Sequence, residues 1–167
     1  MKKTLAVIFI IVIVLCGCSE KKKITPKLNN ISFVAEITHY NEKITLETSF
    51  DSEGNMNAIV LKPEDFKSLE FNFKDDKVTA QFLGLTYTPK TGNLSVNHAA
   101  RIIYDAFCDA EKHSKITIKK GENCEIKGET EGRQYVLKFS PAGLPLSLEL
   151  KNDGYKAVFN ELRVLAN

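Results

Sequence analysis

The sequence predicts a mainly β domain of the α+β class: a curved antiparallel β half-barrel of about ten strands with one principal helix against its concave face. Three observations carry this. Apolar and polar residues alternate with a period of two over most of residues 31–164. One stretch between them switches to helical spacing. The two do not match in area. Ten strands about 18 Å long at about 4.8 Å spacing present an apolar face of roughly 900 Å², whereas one helix about 25 Å long and about 10 Å wide covers about 250 Å². Such a sheet must curl around the helix, close on itself, or leave apolar surface for something else, and a strongly curved half-barrel fits the count best.

Each element has its own signal. In "ISFVAEITHY", Ile31, Phe33, Ala35 and Ile37 alternate with Ser32, Glu36 and Thr38, and His39 is expected among the outward residues. Ile44, Leu46, Thr48 and Phe50 oppose Lys43, Thr45, Glu47 and Ser49 in a second strand. The turn "DSEGN" leads to a third strand over Met56 to Leu61, which Pro63 ends. "LEFNFK" sets Leu69, Phe71 and Phe73 against Glu70, Asn72 and Lys74. Asp75 and Asp76 turn it into Lys77 to Leu83, and Gly84 leads to a short "LTYT" strand. The helix follows in "SVNHAARIIYDAFCDAEKH". Val96, Ala99, Ala100, Ile103, Phe107 and Ala110 form its apolar stripe, Ser95 is a candidate N-cap, and Arg101 pairs with Asp105 on the wet side. Strands resume at Lys115 to Lys119, Cys124 to Thr130, Arg133 to Phe139, Leu144 to Leu150 and Tyr155 to Val164.

The first residues are of a different kind. Lys2 and Lys3 precede an unbroken apolar run from Leu5 to Leu15, and small Gly17 stands just before Cys18. The run falls short of the roughly 20 apolar residues of a well-anchored membrane span. A positive start, an apolar middle and a small residue before a cut describe a secretory signal over residues 1–17. Leu15-Cys16-Gly17-Cys18 resembles the bacterial lipobox, which implies diacylglycerol on the Cys18 sulfur and cleavage before it, with Cys16 discarded. The expectation is a lipid-anchored protein on the extracytoplasmic face of the cell membrane. Residues 18–30, polar and basic with Pro26, read as a flexible tether, and residues 31–167 as the half-barrel domain. Lys21, Lys22 and Lys23 either attract anionic headgroups, at about 1 kcal/mol each, or stay solvated.

Without Lys2 and Lys3 the 23 basic residues become 21, equal to the 21 acidic ones. A neutral domain with scattered charges gives no electrostatic reason to bind nucleic acid. Cys108 and Cys124 remain in the folded part. In an extracytoplasmic domain they either form a disulfide, adding about 3 kcal/mol through a loop of this length, or stay buried thiols.

This layout resembles the outer-membrane lipoprotein carrier and receptor superfamily, the LolA/LolB-like fold, whose relatives include sigma-factor regulators, mycobacterial glycolipid-binding lipoproteins and clostridial germination lipoproteins. The likeness rests on the lipobox, on the long antiparallel run broken by a helix, and on "SPAGLPLSLEL", where Gly143-Leu144-Pro145 looks like that superfamily's turn into a late strand. The resemblance implies that the half-barrel carries lipid or acyl chains, or that the same surface holds a protein partner.

The aromatic residues Phe33, Phe50, Phe71, Phe73, Phe82, Phe107, Tyr135 and Phe139 fall mostly on apolar-facing positions. They either line a pocket for such a ligand or fill the interior. No nucleophile elbow, phosphate-binding loop or zinc-protease motif is present. Cys108, His113 and Cys124 lack the close spacing of structural zinc ligands. The chain therefore reads as non-enzymatic and without cofactor. It reads first as a membrane-anchored lipoprotein that binds a lipid or other apolar ligand. The alternative is an interaction module that holds an envelope or spore-wall protein.

Overall fold

The computed structural model describes residues 22–75, 77–89, 95–112, 116–118 and 124–166. Residues 1–17, expected to be a secretory signal, lie outside these, as do Cys18 and His113. Twelve strands and one α-helix are described: β1 (Lys22–Ile24), β2 (Ile31–His39), β3 (Glu42–Phe50), β4 (Met56–Lys62), β5 (Glu70–Lys74), β6 (Lys77–Phe82), β7 (Leu85–Tyr87), α1 (Ser95–Glu111), β8 (Ile116–Ile118), β9 (Cys124–Thr130), β10 (Arg133–Phe139), β11 (Pro145–Leu150) and β12 (Tyr155–Val164).

Ten strands form one antiparallel sheet in the order β7-β6-β5-β4-β3-β2-β12-β11-β10-β9. The order contains a single crossover. Strands β2 to β7 are one meander, β9 to β12 another, and β2 pairing with β12 joins them. β12, at 10 residues, is the longest described strand and β2 has 9, so the seam runs nearly the full length of both. The sheet curves around α1, which packs against β3, β4 and β5 from one arm and β9 and β10 from the other. This is the expected fold class.

The alternation read from the sequence decides which face is wet. Ile31, Phe33, Ala35 and Ile37 of β2 are buried, as are Ile44, Leu46, Thr48 and Phe50 of β3 and Tyr155, Ala157 and Phe159 of β12. Small residues let the helix sink close. Ala35, Ala58, Ala80 and Ala157 face inward from the sheet, and Ala99, Ala100, Ala106 and Ala110 are buried on α1. Ten of the helix's residues are buried, far more than one stripe, so α1 is enclosed rather than laid on a surface. Arg101 and Asp105 make the expected i, i+4 pair at 2.8 Å.

Two expectations require correction. The flexible tether does not reach residue 30. Lys22–Ile24 pairs with Ile116–Ile118 in a separate two-stranded sheet, so the segment expected to extend the main sheet after the helix instead holds the N-terminal strand. Ile24 and Leu28 are core residues, and the Lys27 N–H donates to the Gly143 carbonyl at 2.8 Å. The apolar residues at 24 and 28 gave no period, and only burial reveals them. Second, His39 is not outward. It has the parity of Ile31 to Ile37 and continues their face to the sheet's end, where it is half-buried.

Among the described residues the core holds two polar misfits, Thr48 and Asn97 of α1, whose Oδ1 has no partner. Thr48 is buried with no hydrogen-bond partner for its hydroxyl. Valine has the same shape without the hydroxyl, so Thr48→Val should raise stability by about 1 kcal/mol, read from urea unfolding. A loss of stability would place an unseen partner on that oxygen.

Candidate functional site

The aromatic residues put forward as pocket lining are, with one exception, structural core. Phe33, Phe50, Phe71, Phe73, Phe107, Tyr135 and Phe139 are at most 3% exposed. Phe107 of α1 stacks on Phe50 at 4.8 Å between ring centroids and meets Phe33 at 5.8 Å. It also meets Phe159 edge-on at 5.6 Å, and Phe159 lies 4.7 Å from Phe33. Phe73 stacks on Tyr104 of the helix at 5.1 Å, and Phe71 lies beside it. The Tyr135 hydroxyl donates to the Asp109 carboxylate at 2.9 Å; burial, and then that bond, push the phenol well above its usual range. Phe82 is the exception, half-buried beside the sheet edge. Phe159 and Tyr155 were missed as members of this set, although the alternation of Tyr155, Ala157 and Phe159 carried the signal. The rings thus spend their surface on one another and on α1. The helix occupies the concavity that a ligand in the half-barrel would need.

Cys108 on α1 is half-buried and Cys124 at the start of β9 is buried, and no disulfide joins them.

A polar cluster closes one end of the half-barrel. His98, in the first turn of α1, lies with Nε2 2.8 Å from Arg133 Nη1, and Arg133 also donates to Asp153 at 3.1 Å. A guanidinium only donates, so His98 Nε2 accepts and its ring is neutral. The His39 ring lies 6.2 Å from that of His98 and 5.9 Å from Tyr155, with its Nε2 buried and unpaired. The fully buried Tyr155 hydroxyl donates to the Ala99 carbonyl at 3.0 Å, tying β12 to the helix. A shallow open hollow of about 460 Å³ lies over Arg133, Lys151 and Asp153.

Burial first, and then the Arg133 charge, lower the His98 pKa from its usual value; Glu131 and Asp153 oppose this and His39 adds to it. A depressed pKa means that folding favours the neutral ring. Its contribution is complete above the unfolded value of about 6.5 and is lost as pH falls through the folded value. Urea midpoints should therefore drop as pH falls below about 6.5, and His98→Gln should flatten that drop. An unchanged slope in the variant would remove His98 from the account.

At the opposite end, the N-terminal segment enters beside the end of β12. A groove of about 360 Å³ is lined by Thr25, Pro26, Lys27, Leu28, Asn29, Glu111 and Val164. Asn29 donates to Glu111 at 2.6 Å, which ties the segment to the end of α1.

The β6–β7 hairpin at the sheet edge carries the two most exposed large apolar side chains among the described residues. Leu83 and Gly84 both have positive φ, the type I′ geometry that normally selects Asn-Gly. Leucine pays for that conformation, yet Leu83 is 86% exposed and Leu85 72%. Tyr87 beside them is also exposed, and among the described residues no strand pairs with the outer side of β7.

No known protein family matches this sequence, and no curated protein is similar to it. Among solved structures, the chain is similar to a LolA superfamily protein from Nitrosomonas europaea, with 5% sequence identity, 90% of this chain and 88% of that one covered, and a TM-score of 0.37.

Proposed function

We propose that this chain is a lipid-anchored extracytoplasmic protein, non-enzymatic, whose domain holds a protein partner of the cell envelope. Diacylglycerol on Cys18 provides the address, and the folded domain provides the grip. The observation that supports the interaction reading is how apolar side chains are divided. The interior rings are consumed by α1, while Leu83, Leu85 and Tyr87 stand exposed on a free sheet edge. Such an edge offers N–H and C=O groups to an added strand, and alternate side chains supply selectivity.

A photoreactive amino acid at exposed Thr86, used in intact cells, tests this. The expected result is one discrete cross-linked protein that disappears when Leu85→Lys is added. A ladder of unrelated products, or none, contradicts it.

A second reading has one observation in its favour. The groove beside Pro26, Leu28 and Val164 has a mostly apolar lining, so a lipid or similar ligand would sit there rather than among the phenylalanines. Lipid retained through detergent-free purification, and lost in Val164→Asp, decides for it.

A further inference from the structure

We propose that the end of the half-barrel carrying Thr25 to Leu28 and Val164 rests directly on the bilayer that holds the Cys18 lipid. The inference takes lipidation of Cys18 from the reading above and adds which face the membrane sees.

The leash is short because the fold begins earlier than the sequence suggested. Four residue steps separate Cys18 from Lys22, the first residue of β1. At about 3.3–3.6 Å per step they reach about 14 Å when fully extended. A compact domain of this size is roughly 35 Å across. The leash is therefore much shorter than the domain, and whichever end holds its root must lie against the headgroups.

The root is pinned. β1 pairs with β8, and Ile24 and Leu28 are buried. The Lys27 N–H bonds to Gly143, whose φ is +82° and whose hypothetical Cβ would lie 2.3 Å from the Thr25 carbonyl. Only glycine admits that approach. The segment therefore cannot slide out without breaking buried contacts.

The surface around the root suits a headgroup layer. Val164 and Leu165 are exposed at the end of β12, where the Leu165 N–H donates to the Asn30 carbonyl. Leu146, exposed, follows the Gly143 turn that Lys27 binds. Lys27 and Arg163 are exposed beside them, cations among apolar side chains, as at a membrane surface. Glu111, the carboxylate lining the groove, is held by Asn29. The Leu83–Tyr87 hairpin lies at the other end of the sheet, so the same placement points that edge away from the membrane.

The chain has no tryptophan, so an introduced one reports alone. Full-length protein carrying Val164→Trp, or Leu165→Trp as a second position, is reconstituted in phosphatidylglycerol and phosphatidylethanolamine vesicles with brominated acyl chains. Leu85→Trp serves as the far-end control. The expected result is a loss of emission and a blue shift at 164 and 165, with neither at 85. Lipidated protein that floats with the vesicles yet shows no quenching at 164 and 165, or equal quenching at 85, overturns the placement. Protein whose N-terminal peptide lacks the lipid mass overturns the lipidation reading, and the placement with it.

Discussion

Phe107→Ala should destabilise the domain by about 3–5 kcal/mol, the cost of removing a buried aromatic that leaves a cavity. Phe107 meets Phe33, Phe50 and Phe159 at once and is the point where α1 locks both arms of the sheet. A domain of ordinary stability, about 5–15 kcal/mol, would lose a large share of it. Urea unfolding followed by circular dichroism measures the change. Leu83→Ala, at an exposed turn, should stay within about 0.5 kcal/mol of the parent. A small effect at 107 would mean that the helix packs loosely and that the concavity can open to a ligand.

Replacing Cys18 with alanine should abolish acylation altogether. Cells fed an alkyne-bearing fatty acid and then conjugated to a dye should show label on the parent chain and on Cys16→Ala, and none on Cys18→Ala. Label that survives at Cys18→Ala, or vanishes at Cys16→Ala, would move the attachment site and with it the short leash. The two cysteines stand one residue apart. The experiment separates them because only the second has a small residue directly before it.

Much of the sheet was legible because its chemistry is local. The period of two in "LEFNFK" places Phe71 and Phe73 inward without reference to any neighbour, and both are buried. The helix was legible for the same reason, since Val96, Ala99, Ala100, Ile103 and Phe107 repeat at its turn. What was not legible depends on partners distant in sequence. Ile24 and Leu28 sit in a basic, Pro-containing stretch with no period, and their burial depends on β8 and on the Gly143 turn. The pairing of Ile116–Ile118 with β1 rather than the main sheet was equally hidden, since a short alternating segment fits either. The choice between lining and filling for the phenylalanines turned on a quantity no alternation encodes, how deeply α1 sinks. The alanines on both sides set that depth.

The central claim is that the half-barrel is closed by its own helix and acts through its surface. Native mass spectrometry of the domain from Ser19 onward, purified without detergent, tests it most directly. The expected result is the bare mass of the chain, with no retained lipid. A stoichiometric lipid adduct that survives purification and disappears in Phe107→Trp would contradict it, because the ligand would then lie where Phe107 packs against Phe33 and Phe50.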